Sequence, residues 1–168
     1  FGGIAIFSGI ILALLFWSTL INIQFIITSL IIIFFVGVVD DLLGLSPFKK
    51  LIGQIIAILI VIYLGEMQID SMHGVLGVQN FPDFLATFFT VFVVIVITNA
   101  FNLIDGVDGL ASGVGIISSC CFGTAALMMG QYDMAIIAFS LMGSLLGFLK
   151  YNFHPARIFM GDTGSLLV

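Results

Sequence analysis

Side chains that can bind cations or phosphates cluster in one stretch of the sequence, NAFNLIDGVDGLASG. Two asparagines and two aspartates follow one another there at intervals of three: Asn99, Asn102, Asp105 and Asp108. Successive members of such a series are offset by about 60° on a helix, so neighbours share a face. Because carboxylate oxygens are good ligands for hard cations, the stretch predicts a site for a cation or a polar ligand.

Two further segments carry carboxylates among basic and turn-forming residues. They are DDLLGLSPFKK, residues 40–50, and YNFHPARIFMGDTGS, residues 151–165. Mg²⁺ is commonly held by one or two protein carboxylates together with substrate phosphates, so the three segments suit magnesium-assisted transfer chemistry on phosphates. No Walker A loop and no dinucleotide fingerprint occurs in the sequence, which excludes a soluble-type nucleotide fold.

The composition identifies what must position these residues. Hydrophobic residues make up 61% and charged residues 8% of the 168 residues, and the mean hydropathy is +1.33. These values indicate an integral membrane protein. Apolar runs of helical length predict an all-α, polytopic transmembrane helical bundle that forms one membrane domain over residues 1–168. The sequence is interpreted as an internal fragment of a longer chain.

Six membrane spans and the start of a seventh are predicted. The spans are Ile4–Leu20, Ile23–Val39, Leu51–Leu64, Phe84–Thr98, Val114–Met129 and Met134–Leu149. Between the third and fourth spans, residues 65–83 are expected to form a small extracytoplasmic hairpin. Gln54, Ser140 and Ser144 are predicted to form hydrogen bonds between helices.

The basic residues predict the orientation of the bundle. All four lie after the second and sixth spans: Lys49, Lys50, Lys150 and Arg157. Six crossings place those two loops on one side, which the positive-inside rule makes cytoplasmic. The same parity places residues 99–113 on that side. Three polar segments are therefore expected to meet at one membrane face.

Each segment also has a structural interpretation. Asp40 and Asp41 could be a solvated helix end, although a carboxylate at a helix C-terminus costs about 0.3–1 kcal/mol. Residues 99–113 could be a polar turn whose glycines form a packing surface. Asp162 could cap a following helix. A polar turn does not explain two carboxylates and two asparagines, because ionisable groups at membrane depth are costly and usually functional.

Three long motifs, in this order and spacing, carry a family resemblance. DDLLGLSPFKKLIGQ, NAFNLIDGVDGLASG and NFHPARIFMGDTGSL resemble the polyprenyl-phosphate N-acetylhexosamine-1-phosphate transferases. The Leu-Ser-Pro-Phe-Lys-Lys and His-Pro-Ala-Arg versions are similar to the N-acetylglucosamine-1-phosphate branch, which starts teichoic acid, O-antigen or related glycans. The sister branch, which transfers phospho-N-acetylmuramoyl-pentapeptide, is the alternative.

The resemblance implies a role for each matching residue. Asp40 and Asp41 would handle the lipid phosphate, one of them as its base, and Asp108 would be a third catalytic residue. Asp162 would bind Mg²⁺ or Mn²⁺ together with Asp108. The remaining substrate-binding residues implied are Lys49, Lys50, Asn102, Asp105, Asn152, His154, Arg157 and Phe159. Among these, Phe159 would stack on uracil and Asn152 would take part in its recognition.

The implied reaction moves a sugar-1-phosphate from a UDP-N-acetylhexosamine to undecaprenyl phosphate and releases UMP. The implied location is a bacterial cytoplasmic membrane, with the active site facing the cytoplasm. Expected partners are the two substrates, the lipid bilayer and a second copy in a homodimer, with no nucleic acid. The family also uses parts outside this sequence, so the 168 residues alone are expected to be inactive. Two interpretations of other classes remain: an ion-coupled secondary transporter and a noncatalytic membrane scaffold.

Overall fold

The computed structural model describes residues 2–17, 23–77 and 79–168, and these residues form a helical protein. Seven α-helices follow one another along the described chain: α1 Gly2–Trp17, α2 Ile23–Leu43, α3 Pro47–Tyr63, α4 Asp83–Ile104, α5 Leu110–Met128, α6 Tyr132–Asn152 and α7 Gly161–Ser165. The described residues contain no β-strand. The predicted all-α class is therefore confirmed.

Length and composition distinguish four candidate membrane-spanning helices among the described residues. α2, α4, α5 and α6 are each long and apolar enough to cross a bilayer, and α1 is a shorter apolar helix. Large apolar side chains cover the outside of the bundle, including Leu103 at 80% and Met128 at 90% exposure. A surface of this kind suits contact with lipid. α1 and α3 have 16 and 17 residues, fewer than the ~20 that a perpendicular crossing needs.

The bundle core lies where α1, α5 and α6 pack together. α5 lies along α6, α1 packs against α6, and α2 packs against α3. The buried apolar cluster consists of Ile6, Ile10, Leu14, Ala111, Leu145, Phe148 and Met160. Met160 comes from the segment just before α7, so the core joins that segment to the spans.

The predicted polar loop of residues 40–50 is wrong in extent. α2 continues to Leu43, so Asp40 and Asp41 lie in its last turns, and only Gly44–Ser46 separates α2 from α3. Pro47 opens α3, a position where its missing N–H has no helical partner to lose. Backbone hydrogen bonds need no apolar side chains, so the helices extend beyond the apolar runs.

The same effect corrects the fourth span. α4 continues to Ile104, six residues beyond the predicted end at Thr98. Asn99 and Asn102 therefore lie on a helix, and Asp105 follows directly as its C-cap residue. The helical spacing therefore continues through Asn99 and Asn102 to Asp105.

The polar segment that precedes the predicted start of the seventh span contains a short buried helix. α7 has five residues and packs against α1, α2 and α4. A Cβ at Gly3 would lie 2.4 Å from the backbone nitrogen of Gly164, and one at Gly37 would lie 2.5 Å from the Cα of Thr163. Glycine at these two positions therefore allows α1 and α2 to approach α7.

The region predicted as a hairpin forms little regular structure. Ser71 and Asn80 make one isolated antiparallel bridge, and Val75–Gly77 forms a single 3-10 turn. Val78 and the predicted end of the first span, Leu20, lie outside the described residues.

Of the three residues predicted to join helices, Gln54 does so and the two serines do not. Gln54 accepts a hydrogen bond from Asn99 across α3 and α4. Ser140 Oγ donates to the Ile136 carbonyl and Ser144 Oγ to the Ser140 carbonyl, both within α6. The prediction is wrong for the serines, because a serine hydroxyl in a helix can bond to the carbonyl four residues earlier.

Candidate functional site

Asp162 contacts side chains from two different helices. Lys50 Nζ at the start of α3 lies 2.6 Å from Asp162 Oδ1, and Asn102 Nδ2 on α4 donates to the same oxygen. Asn102 Nδ2 also donates to Ser165 Oγ at 2.8 Å. Residues separated by as many as 112 positions in the chain thus converge on one carboxylate.

Asp41 caps α7, and Asp162 lies inside that helix. Asp41 Oδ1 accepts from the Asp162 backbone N–H at 2.8 Å, and Oδ2 accepts from the Thr163 backbone N–H at 3.0 Å and from the Thr163 hydroxyl. The first N–H groups of a helix have no partner within it. Asp41 satisfies two of them, which stabilises α7 and gives a carboxylate at the end of α2 favourable partners.

Asp40 contacts one residue within the short connection between α2 and α3 and one residue of α3. Its Oδ1 accepts from the Leu45 backbone N–H at 2.7 Å, and its Oδ2 lies 3.0 Å from Lys50 Nζ. Lys50 therefore bridges Asp40 and Asp162. Two carboxylates offset the unfavourable position of a lysine in the first turn of a helix.

Asp105 lies against the beginning of α7. Its Oδ2 accepts from the Gly161 backbone N–H at 3.2 Å. Burial raises the pKa of Asp105 to about 6, the Gly161 hydrogen bond opposes the rise, and the negative charges of Asp162 and Asp41 add to it. Asp105 is therefore a carboxylate that can gain or lose a proton near neutral pH.

Asp108 faces a different segment. Its Oδ2 lies 3.0 Å from His154 Nδ1 and accepts from the Ala156 backbone N–H at 3.1 Å. The Ala156 hydrogen bond and then the His154 contact lower the pKa of Asp108. Asp105, and not Asp108, contacts the amino end of α7, and the proposed role of Asp108 as a metal ligand stays a prediction.

Asn152 lies at the centre of the polar end of the bundle and is 1% exposed. Its Oδ1 accepts from the Gly109 backbone N–H at 3.1 Å and from Ser112 Oγ at 2.9 Å, and its Nδ2 donates to the Ile158 carbonyl at 3.1 Å. Gly109 has a φ of +71°, which glycine adopts readily. Asn152 thus joins three segments, and its role in uracil recognition stays a prediction.

A pocket of about 400 Å³ opens beside these groups. Its lining includes Asp41, Arg157, Phe159 and Gly161. The Phe159 side chain is 62% exposed, so its ring is accessible from solvent. Lys49 is exposed next to Lys50. The pocket therefore combines an aromatic face, a guanidinium and a carboxylate.

The donor set around α7 fits a hard divalent cation. In the described part of the chain, no three His, Cys, Asp or Glu side chains are grouped in a way that would hold a metal on their own. Mg²⁺ usually takes only one or two protein carboxylates and completes its shell with water and phosphate oxygens. Asp162 and Asp105 are two carboxylates near enough for the charge of Asp162 to act on Asp105, and Asp162 already contacts one positive charge, the Lys50 ammonium.

Several residues of the site were not predicted from the sequence. Ser112, Thr163 and Ser165 are all fully buried and bond to Asn152, Asp41 and Asn102. Ser112 lies within the second motif and Thr163 and Ser165 within the third, so those motifs were their only signal. Nothing in the local pattern around Ser112 indicates a partner 40 residues away.

The fold and the site define a multi-pass membrane protein whose polar segments meet at one end of a helical bundle. The profile of glycosyl transferase family 4 matches residues 22–168. The chain therefore belongs to glycosyl transferase family 4.

Relatives with two different names are similar to this chain. A "Probable undecaprenyl-phosphate N-acetylglucosaminyl 1-phosphate transferase" of Bacillus subtilis is 36% identical over 99% of this chain and 47% of its own length. A "Phospho-N-acetylmuramoyl-pentapeptide-transferase" of Levilactobacillus brevis is 41% identical over 73% of this chain and 39% of its own. A relative of the same name from Streptococcus gordonii is 38% identical over 97% of this chain and 50% of its own length. The chain thus spans half or less of the length of these relatives.

Proposed function

We propose that this chain is the part of a membrane transferase that moves N-acetylglucosamine-1-phosphate from a UDP-sugar to undecaprenyl phosphate. The observation that carries the proposal is the convergence of Lys50 and Asn102 on Asp162, with Asp40, Asp41 and Asp105 beside it. Membership of glycosyl transferase family 4 supports a glycosyl transfer, and both names carried by the relatives describe phosphosugar transferases.

The reaction exchanges one phosphoanhydride bond for another. An oxygen of the lipid phosphate forms a bond to the β-phosphorus of the UDP-sugar. The bond from that phosphorus to the bridging oxygen breaks, and UMP leaves with the electron pair. The charges of Lys50 and Arg157 favour binding of the phosphates at the membrane surface.

We assign the role of base toward the lipid phosphate to Asp40. Both oxygens of Asp41 already accept hydrogen bonds from the first turn of α7, so Asp41 positions that turn. Asp40 has one backbone partner and shares Lys50 with Asp162. Asp40 thus keeps acceptor capacity for a proton while Lys50 remains at Asp162.

Mg²⁺ is the cofactor that we propose, with Mn²⁺ as a substitute. Asp162 and Asp105 would hold it, and the bound ion would neutralise negative charge on the diphosphate. The exposed ring of Phe159 would stack on the uracil, with Arg157 close to the diphosphate in the same pocket. These residues would orient the donor for in-line attack.

The proposed location is a bacterial cytoplasmic membrane, with the site facing the cytoplasm. That orientation gives access to a water-soluble UDP-sugar. Asp105 and Asp108 lie beyond the last residue of α4, whereas coupling-ion sites of secondary transporters lie near the bilayer midplane in interrupted helices. This position favours a transferase over a transporter.

A donor panel tests the proposal. The protein with its whole native chain is incubated in detergent with undecaprenyl phosphate, MgCl₂ or EDTA, and either UDP-N-acetylglucosamine or UDP-N-acetylmuramoyl-pentapeptide. We expect a lipid-linked product in one condition only, which is UDP-N-acetylglucosamine with MgCl₂. EDTA should abolish this product, and the pentapeptide donor should give none. Product from the pentapeptide donor alone would overturn the donor assignment. Absence of lipid product from every UDP-N-acetylhexosamine would overturn the function.

A further inference from the structure

Two amide side chains, Gln54 and Asn99, lie one helical turn away from the two residues that contact Asp162. Gln54 follows Lys50 by one helical turn on α3, and Asn99 precedes Asn102 by one turn on α4. Asn99 Nδ2 donates to Gln54 Oε1 at 3.3 Å. The two amides therefore link the same two helices that bring Lys50 and Asn102 to one carboxylate oxygen.

The Gln54 amide costs folding free energy at this position. It is 2% exposed, and its Nε2 has no hydrogen-bond partner within the described chain. A buried donor without a partner loses its hydration without compensation, whereas an apolar side chain of similar size would not. The stability of the fold alone gives no reason for an amide here, and polar groups inside membrane helices usually serve a function.

The geometry above Gln54 shows what such a link could do. Lys50 and Asn102 come from different helices and must reach Asp162 Oδ1 together. A small sliding or separation of α3 relative to α4 would take one of the two donors out of range, because hydrogen bonds weaken over a few tenths of an ångström. A fixed contact one turn below sets the relative position of the two helices at that level.

We propose that Gln54 and Asn99 are positioning residues, which set the spacing of α3 and α4 so that Lys50 and Asn102 act together on Asp162. This inference rests on the proposed function, because its consequence is measured on sugar-1-phosphate transfer. Neither amide touches the substrates. Their effect reaches the reaction through the two residues one turn above them.

The test replaces Gln54 with leucine in the whole native chain. Gln54→Leu removes the link and also the unpartnered amide, and Asn99 keeps its bond to the Ile95 carbonyl at 2.8 Å. We expect a thermal midpoint equal to or above that of the wild type. We expect kcat to fall about 10-fold or more, as small displacements of reacting groups do, with KM for the UDP-sugar within about twofold.

Thr98→Val is the matched control. Thr98 neighbours Asn99 and lines the same cavity of about 160 Å³ as Gln54, but it has no part in the amide pair. We expect wild-type kinetics from this variant. The second test is the exchange Gln54→Asn with Asn99→Gln, which returns an amide pair to the interface and should restore part of kcat.

The outcomes separate the inference from the proposed function. Wild-type kcat in Gln54→Leu, an equal loss in Thr98→Val, or a lowered thermal midpoint that accounts for the loss would overturn the positioning role alone. Absence of transfer by the wild-type protein would overturn the proposed function and this inference with it. Asn99→Leu interrupts the same link from α4 and is expected to reproduce the kcat loss.

Discussion

Asp105 is the residue whose protonation the site controls most strongly. It is half-buried at the end of α4, where burial raises its pKa to about 6 from an ordinary 3.8. In the unfolded chain this carboxyl would lose its proton near pH 4. Between about pH 4 and pH 6 the folded protein therefore binds more protons than the unfolded chain at this position.

This difference predicts the sign of a pH effect on stability. Because the unfolded state binds fewer protons in that window, the contribution of Asp105 to the free energy of unfolding decreases as pH rises from about 4 to 6. Asp105→Asn lacks this contribution. In EDTA, we expect the thermal midpoint of the wild type to fall relative to that of Asp105→Asn across the window. Parallel pH curves for the two proteins would contradict the raised pKa.

Asp162 is expected to matter for turnover more than for folding. Asp162→Asn keeps an oxygen that can accept from Lys50 and Asn102 but removes the charge that a cation and Lys50 require. We expect transfer to fall at least 100-fold, in the range found when a key electrostatic group is removed, with little change in the gel-filtration profile. The control is Asp70→Asn, an exposed aspartate in the segment before α4. Full activity in Asp162→Asn would remove this residue from the site.

At the scale of elements, the conformation of α7 requires glycine at its first residue, Gly161, as well as the cap from Asp41. Gly161 has a φ of +69°, and a Cβ there would lie 2.8 Å from Asp41 Oδ2. Gly161→Ala should therefore destabilise the fold by about 1–2 kcal/mol through the left-handed conformation alone, and displacement of Asp41 should reduce transfer.

The matched control for this variant is Gly113→Ala in α5. Gly113 has nothing within 4 Å of an added Cβ, so alanine there should be neutral or stabilising by up to about 1 kcal/mol. Thermal unfolding and the transfer assay measure both variants. Equal behaviour of the two alanine variants would contradict the close fit of Asp41 against α7.

The helices were predictable from apolar runs, but the ends that build the site were not. Hydropathy changes sharply at Asp40 and at Asn99 because the polar layer begins there, yet the backbone remains helical to Leu43 and Ile104. Apolar runs alone therefore predict loops where the polar residues continue the helices. The sequence also could not show that Asp41 caps α7, since that contact joins residues 121 positions apart.

At the scale of the whole molecule, counting crossings predicted that the three polar segments share one end of the bundle. The contacts of Asp162 with Lys50 and Asn102 agree with that arrangement. The sequence does not predict that Asp105 and Asp108 contact different segments, because both residues follow the same helix. The turn after Asp105 directs Asp108 toward His154 instead of α7.

Labelling of single cysteines tests the proposed orientation. The background lacks every native cysteine of the whole chain, including Cys120 and Cys121. Ser71→Cys lies in the segment between α3 and α4, and His154→Cys lies at the polar end, where the His154 side chain is 82% exposed. We expect a membrane-impermeant maleimide to label Ser71→Cys in intact cells and His154→Cys only in inverted vesicles. The reverse pattern would place the site on the outer face.

The most direct test of the central claim follows the β-phosphorus. UDP-N-acetylglucosamine labelled with ³²P at the β-phosphate is incubated with undecaprenyl phosphate, MgCl₂ and the protein with its whole native chain, with Asp162→Asn as the inactive control. We predict that the label moves to the lipid and that the released nucleotide is unlabelled UMP. Labelled UDP beside an unlabelled glycolipid, or no labelled lipid from the wild type, would contradict the transfer of a sugar-1-phosphate.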